Sequence, residues 1–378
     1  MRRISFVVLM LLAAVAAAGQ GVEIDTATPE GQLLQQIGIE EDAQKKVALL
    51  EQFVEKYPDH EGVKWVLGQL PPAYLKLEQP EKSLVWCEKM LEKDPANAAG
   101  SHSCLKTAEA RNDAELVRKW ALLTHGAAAK ATSAAKPADT DEDEWKQSVD
   151  FARQVGQYAE WSMYNAALQA ADPVQQASLL EALKTANPKS EHLPVLAARA
   201  FLAYRQAGDV DKAIALAEQA MADGQANEDM LLVTADYYMN QKQDAAKTIE
   251  YSTKLIRYLE QAQPPQGVSG EDWEKKKKVS TAMGYWFLGV TYSNQKKYAD
   301  ADKALRQALP GIGDNAQLQA GALFHLGVAN YQLGDKSGNQ KLILEAFNFT
   351  KQCAAIPGPY QAHAQKNLKA MQAQYRIK

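Results

Sequence analysis

Residues 284–309, which have the pattern of a helix pair, constrain the fold of this chain more than any other stretch. Four residues of its first half recur at the spacing of one face of an α-helix: Tyr285, Leu288, Gly289 and Tyr292. Four residues of its second half repeat that spacing: Tyr298, Ala301, Leu305 and Ala308. A polar break at residues 294–297 separates the halves. The pattern therefore predicts two short antiparallel helices, with Gly289 and Ala301 small where the helices come close.

This stretch resembles the tetratricopeptide repeat (TPR), whose pattern is W-x2-L-G-x2-Y followed by A-x3-F over about 34 residues. Six residues carry the resemblance, in the order of that pattern: Tyr285, Leu288, Gly289, Tyr292, Ala301 and Leu305. A later unit resembles the pattern at Leu323, Leu326 and Gly327 but has Asn330 where the Tyr belongs. The resemblance implies an all-α fold, an α-solenoid of TPR-like antiparallel helix pairs wound into a right-handed superhelix.

A second regularity supports internal repetition. At three places a Glu stands seven residues before a Pro: Glu51 and Pro58, Glu88 and Pro95, Glu181 and Pro188. Each Pro is expected to end a helix, because it lacks the backbone N–H and its ring clashes with the preceding turn. Repetition of helix pairs is the signature of a helical solenoid.

The composition changes at residues 126–140, which are small, polar and without aromatics, as is typical of a linker or of a mobile helix extension. This change divides the predicted solenoid into two arms. The predicted organisation has six parts: residues 1–18 as a signal peptide, 19–30 as a disordered N-terminus, 31–125 as an N-terminal TPR-like arm, 126–141 as a linker, 142–359 as a C-terminal TPR arm and 360–378 as a capping helix.

The N-terminus has the layout of a secretory signal peptide. Arg2 and Arg3 precede an uncharged apolar run that ends in three alanines at residues 16–18. The alternative is an uncleaved membrane anchor, but the run is shorter than the roughly 20 residues that span a bilayer. We therefore expect export, with cleavage after Ala18, to a bacterial periplasm or cell envelope, and no integral membrane segment after cleavage.

Charge and cysteine content narrow the possible partners. The formal net charge of −4 disfavours nucleic acid, because phosphate binding needs a basic surface. The three cysteines, an odd and low number, do not form a disulfide framework. Cys87 and Cys104 lie on consecutive predicted helices. They form either a disulfide or a pair of buried unbonded thiols, and the sequence leaves both open.

The sequence has no motif of a known catalytic or cofactor site. It contains no HExxH, CxxC, P-loop or GxSxG, and its six histidines lack metal-ligand spacing. His325, next to Leu326 and Gly327, is expected to be a packed or rim histidine. These observations predict a protein that is not an enzyme and has no catalytic residues, metal or cofactor.

The TPR resemblance implies where a partner binds, because in that family the first helix of each pair lines the inner groove. Alignment with the repeat gives nine predicted protein-binding residues on this concave surface: Trp161, Asn165, Arg205, Asp236, Met239, Trp286, Asn294, Phe324 and Tyr331. Trp286 and Phe324 adjoin residues assigned to the repeat core, so they are expected to point into the groove. The alternative is that these aromatics pack against the insertion at residues 261–270 or against the terminal helix. The basic set of chaperone-binding TPR domains is missing, with Arg205 nearly alone.

The leading functional hypothesis is a non-catalytic scaffold that binds a protein or peptide segment in the concave groove. One alternative is a helical-repeat enzyme, or enzyme accessory, acting on envelope carbohydrate through facing carboxylates. Another is a self-assembling structural envelope protein. The oligomeric state is not predicted.

Overall fold

A computed structural model describes residues 25–138, 140–265 and 267–376 of the protein. The secondary structure of these residues is helical throughout, in seventeen α-helices without a strand. The predicted signal peptide, residues 1–18, lies outside the described residues. No helix in the described part of the chain is long and apolar enough to cross a bilayer.

The chain divides into two compact units between Leu193 and Pro194. The helices of the first unit that the structure describes are α1 (Pro29–Ile39), α2 (Ala43–Lys56), α3 (Val63–Lys76), α4 (Pro80–Lys93), α5 (Ala98–Ala110), α6 (Ala114–Ser133), α7 (Glu142–Gln169) and α8 (Pro173–Ala186). Consecutive helices of this unit pack on one another, and α5 also contacts both α3 and α7. This arrangement is a stack of antiparallel pairs.

The second unit repeats that arrangement. Its described helices are α9 (Leu193–Gln206), which begins at the boundary, α10 (Val210–Ala222), α11 (Glu228–Asn240), α12 (Ala245–Gln261), α13 (Gly270–Asn294), α14 (Tyr298–Ile312), α15 (Ala316–Ser337), α16 (Gln340–Ala354) and α17 (Gln361–Tyr375). Helices α11, α13 and α15 touch in turn, and each is followed by its partner. The predicted all-α solenoid of helix pairs is confirmed, while its right-handed superhelical turn stays a prediction.

The close crossing predicted at Gly289 is present between α13 and α14. A Cβ atom added to Gly289 would lie 2.6 Å from Leu305 Cδ2 and 3.2 Å from its backbone nitrogen. Ala301 and Leu305 are completely buried at the same crossing. The small residues of the repeat pattern therefore let the two backbones approach.

Asn330 is the residue that departs from the repeat pattern, and it has a polar role in place of the expected Tyr packing. It is completely buried on α15. Its amide donates to Asp302 Oδ1 on α14 at 2.6 Å and to the Leu326 carbonyl at 3.0 Å, and it accepts from Arg306 at 3.3 Å. The amide nitrogen and the amide oxygen of the buried Asn330 side chain thus both have partners. Its hydrogen bonds with Asp302 and Arg306 connect α15 to α14.

Residues 126–141, predicted to be a linker or a mobile helix extension, are partly helical. Helix α6 continues to Ser133, so half of that segment is helical. Ala128 packs in a small apolar cluster with Ala152 and Val155 of α7. Alanine, common in linkers, is also the strongest helix former, and its small side chain allows α7 to approach. The division between the compact units lies well beyond this segment.

Both ends of the described chain are helical. The predicted disordered N-terminus, residues 19–30, overlaps α1, which begins at Pro29 with Thr28 as its N-cap. At the other end, α17 places Ala364 and Met371 in two apolar clusters formed with α15 and α16. This helix thereby covers the apolar face of the last pair, as a capping helix must.

Candidate functional site

The nine predicted binding residues fall in both units. Trp161 and Asn165 lie on α7 in the first unit, and the other seven lie in the second unit. Neither unit contains all nine residues, so the two groups are described separately.

Trp161 is the large aromatic side chain that the structure leaves most open to solvent. The residue is 46% exposed, whereas Trp120 in the same unit is 1% exposed. Its ring lies against the ring of Tyr158, with centroids 5.6 Å apart and planes inclined by 39°. Trp161 and Tyr158 thus form an aromatic pair on α7, in which Trp161 is exposed and Tyr158 is half-buried.

A hydrogen-bond network on α5 and α7 fixes the position of Tyr158. Its hydroxyl lies 2.8 and 2.7 Å from the two carboxylate oxygens of Glu109, to which it donates. Ser162 donates to the same carboxylate at 2.7 Å. Burial and the neighbouring Glu109 raise the pKa of the Tyr158 hydroxyl, so it stays protonated. The ring is therefore held by a carboxylate that belongs to the neighbouring helix.

Lys106 completes the network. Its ammonium lies 3.5 Å from Glu109 Oε2 and 4.2 Å from the Tyr158 ring centroid, and it donates to the Tyr158 hydroxyl. These contacts combine an ion pair with a cation–π interaction. We call Lys106, Glu109, Tyr158, Trp161 and Ser162 the α5–α7 patch. Its two charges neutralise each other.

His102 supports the patch from one side. Its ring meets that of Tyr158 edge-on, with centroids 4.9 Å apart. Burial, followed by the positive charge of Lys106, lowers the pKa of His102. A neutral imidazole leaves the charge balance of the patch unchanged.

A disulfide joins α5, which carries Lys106 and Glu109 of the patch, to α4. Cys87 on α4 and Cys104 on α5 are bonded, with their Cα atoms 6.1 Å apart. Cys104 stands between His102 and Lys106 in the sequence. Cys353 is a buried free thiol, and burial raises its pKa to about 11. Of the two alternatives left open for Cys87 and Cys104, the structure has the disulfide.

In the second unit Trp286 packs against neighbouring helices, and its role in binding stays a prediction. It is half-buried, and its indole N–H donates to the Leu318 carbonyl at 3.1 Å. Met239, another predicted binding residue, packs in the same two apolar clusters as Trp286. The repeat pattern places Tyr285 in the core of this pair. Trp286, the next residue, packs where α11, α13 and α15 meet.

Phe324 and Tyr331 are likewise engaged within the chain. The Phe324 ring lies 5.1 Å from that of Tyr360, and it packs in the cluster that includes Ala364 of α17. The Tyr331 hydroxyl donates to Gln374 at 2.8 Å. Both residues thus contact the terminal helix, which is one of the alternatives left open for the groove aromatics, and their role in binding stays a prediction.

The remaining predicted residues are polar and make local contacts. Arg205 is exposed, with its guanidinium 5.7 Å from the Phe201 ring centroid. Asp236 is exposed and accepts from Asn240 at 2.8 Å. Asn294 is exposed at the end of α13, whereas Asn165 is half-buried on α7. No group of three or more His, Cys, Asp or Glu side chains that could hold a metal lies among the described residues.

Sequence reasoning missed the two patch residues on α5, Lys106 and Glu109, and the His102 that supports them. His102, Lys106 and Glu109 recur at offsets of four and seven residues, which is one face of a helix. That spacing was available, but the α5–α6 pair lacks the Gly and Tyr of the repeat pattern. Alignment with the pattern therefore did not reach these residues.

His325 lies where a packed histidine was expected. It is 8% exposed, and its Nδ1 atom is 2.9 Å from Ser293 Oγ. Burial lowers its pKa to about 4. The imidazole is thus neutral and part of the interior of the second unit.

Comparison with known proteins adds little to this description. Neither a protein-family profile nor a curated protein sequence matches the chain. Among solved structures, the chain is similar to the crystal structure of the P58(IPK) TPR domain, with 11% identity, a TM-score of 0.26 and coverage of 92% of this chain and 99% of that chain. It is also similar to yeast Tom70, with 14% identity, a TM-score of 0.19 and coverage of 92% and 88%. With TM-scores this low, the fold assignment rests on the helix pairs of the chain itself.

Proposed function

We propose that this protein is a non-catalytic interaction scaffold that binds a protein segment on the first helices of its pairs, through the α5–α7 patch. The observation that carries the proposal is the 46% exposure of Trp161 beside the fixed ring of Tyr158. Large exposed aromatics reduce solubility, and a binding surface accounts for them. Trp is also among the residues that contribute most to protein–protein affinity.

The rigidity of the patch favours binding. Because Glu109 and Lys106 hold Tyr158 from the neighbouring helix, little side-chain freedom is left to lose when a partner binds. An aromatic surface on rigid helices also suits an extended or helical segment better than a small molecule. The exposed Arg205, Asp236 and Asn294 stay proposed contacts of the second unit.

We further propose that the protein acts after export, in a bacterial periplasm or cell envelope. Two observations support this location. The N-terminal sequence has the layout of a signal peptide. The Cys87–Cys104 disulfide is of a kind that persists in oxidising compartments and is rare in the cytosol.

The test is capture of partners from envelope extract by the immobilised protein and by two variants. Trp161→Ala removes the exposed ring. Leu123→Ala is the matched control, because Leu123 is 38% exposed on α6, the second helix of its pair. We expect Trp161→Ala to lose partners that Leu123→Ala and the unaltered protein retain, with the same circular dichroism and melting temperature in all three. Equal capture by both variants would contradict the proposal.

A further inference from the structure

We infer that the protein associates head to tail with a second copy of itself, with helix α17 of one copy lying on the first helix pair, α1–α2, of the next. This inference goes beyond the proposed function and does not involve the α5–α7 patch. Three observations support it: a basic surface on α17, an acidic surface on α1–α2, and exposed side chains on both surfaces that allow close contact.

The C-terminal end of the chain is basic, although the whole chain has a formal net charge of −4. Its acidic residue within residues 340–376, Glu345, is paired with Arg306 of α14. The same residues include five basic ones, which make no ion pair within the described part of the chain: Lys341, Lys351, Lys366, Lys369 and Arg376. These positive charges are therefore available to an acidic surface.

Helix α17 carries two of these charges on its outer side. Ala364 and Met371 face inward, where they are buried in the apolar clusters with α15 and α16. Lys366 and Lys369 follow Ala364 by two and five residues, which places them on the opposite side of a helix with 3.6 residues per turn. Both lysines are exposed. The outer side of α17 is thus a basic surface.

The first helix pair carries the opposite charge. Residues 25–61 contain nine acidic residues and three basic ones. Where α1 ends and α2 begins, an open depression is lined by Gln36, Ile39, Glu40, Lys45, Ala48, Leu49 and Gln52. Glu41, next to Glu40, is exposed, and so is Glu55, one helical turn beyond the last lining residue. Three carboxylates thus lie in or beside this depression, and the Lys45 ammonium is the basic group among its lining residues.

The exposed side chains of the two surfaces suit close contact. The outer side of α17 has exposed alanines next to its lysines, Ala362 and Ala373, and small side chains let a second helix approach. Ile39 in the depression is 76% exposed, the largest exposure of any large hydrophobic residue that the structure describes. Covering this side chain removes apolar surface from water, which favours the contact.

The charges also favour contact between unlike surfaces over the alternatives. Two α17 helices in contact would bring lysines together, and two first pairs would bring carboxylates together. A membrane surface fits α17 less well, because helices that lie on anionic lipid insert large apolar side chains. Among the described residues of α17, the exposed apolar side chains are alanines. A head-to-tail contact between copies is therefore the arrangement that these surfaces favour.

The test is sedimentation velocity of the full protein at up to about 100 μM, in about 50 mM and about 300 mM NaCl. One variant, Lys366→Glu with Lys369→Glu, makes the outer side of α17 acidic. The other, Glu41→Lys with Glu55→Lys, makes the first pair basic. We expect the unaltered protein to associate in low salt and less in high salt. Each variant alone should associate at least about tenfold more weakly.

A mixture of the two variants and a control variant make the test specific. Each variant alone has two surfaces of like charge, whereas an equimolar mixture again offers unlike surfaces, so we expect mixing to restore association. The matched control is Lys130→Glu with Lys303→Glu, which reverses two exposed lysines on α6 and α14. It changes the net charge as the α17 variant does, and it should associate like the unaltered protein. Circular dichroism and melting temperature should be the same in all of them.

Five results would overturn the inference. They are no association of the unaltered protein in low salt, association that either variant retains, no association of the mixture, and loss of association in the control variant. The fifth is binding to phosphatidylglycerol vesicles that depends on Lys366 and Lys369, without self-association. None of these results bears on capture of partners through Trp161, which tests the proposed function separately.

Discussion

Tyr158 on α7 and Glu109 on α5 are joined by a hydrogen bond of 2.7–2.8 Å, from the Tyr158 hydroxyl to the Glu109 carboxylate. The bond connects the first helices of two neighbouring pairs. It fixes the ring against which Trp161 lies, with centroids 5.6 Å apart. A contact that holds two repeats together thus also fixes the orientation of the exposed aromatic surface.

Removing the Tyr158 hydroxyl should therefore destabilise the first unit. Hydrogen bonds to charged groups contribute about 1.5–3 kcal/mol, and we expect the lower end for Tyr158→Phe because Glu109 keeps Ser162 as a donor. Tyr164→Phe is the control, since the Tyr164 hydroxyl makes no hydrogen bond among the described residues and its ring stacks on His192. Urea unfolding measures both free energies. Equal stability of the two variants would show that the Glu109 contact is unimportant.

Gly289 should not tolerate a side chain. Helix propensity favours Ala over Gly by about 1 kcal/mol, but an added Cβ would lie 2.6 Å from Leu305 Cδ2. Overpacking costs about 1–3 kcal/mol, so we expect Gly289→Ala to lower stability and Gly289→Leu to lower it further. Gly68→Ala, where an added Cβ meets nothing within 4 Å, is the control and should raise stability. Thermal melts in which Gly289→Leu matches the unaltered protein would contradict the close crossing.

The disulfide should stabilise the first unit. Cys87 and Cys104 are 17 residues apart, and closing a loop of that length contributes about 3 kcal/mol. We expect protein from its native host to have one titratable thiol after denaturation, Cys353, and urea unfolding to shift to lower concentration on reduction. Three free thiols in that protein would contradict both the bond and the proposed export.

Stability should fall with acid through His325. Its pKa of about 4 in the folded protein lies below the ordinary value of 6.5, so the unfolded chain binds the proton first. The stabilising contribution is complete above about pH 6.5 and is lost as pH falls towards 4, amounting to about 3 kcal/mol. His325→Gln should flatten this slope between pH 6.5 and 4.5, as measured by urea unfolding. An unchanged slope would show that His325 does not titrate as its burial requires.

Sequence reasoning predicted the repeat and its core more accurately than its surface. The spacing of Leu288, Gly289 and Leu305 is a local property, so the helix pair and its crossing could be read directly. Trp286 could not be placed, because its contacts with the Leu318 carbonyl depend on how neighbouring pairs stack. The terminal helix was predicted, and packing of the groove aromatics against it was one of the alternatives left open, which its contacts with Phe324 and Tyr331 match.

The same limit applies to the candidate site. Trp161 was predicted from its alignment alone, and its exposure agrees with a surface role. Lys106 and Glu109 were missed because they contribute to the site through contacts with Tyr158 and Ser162, which are 49 to 53 residues away in the sequence. Long-range side-chain pairs of this kind have no signature in a single sequence.

Hydroxyl-radical footprinting of Trp161 in the free protein and in the captured complex tests the central claim most directly. Mass spectrometry of the oxidised peptides gives one rate for Trp161 and one for the half-buried Trp286, which serves as the internal reference. We expect Trp161 to oxidise readily in the free protein and to be protected several-fold in the complex, with Trp286 changing little. Equal oxidation of Trp161 in the free and bound states would contradict binding at the α5–α7 patch.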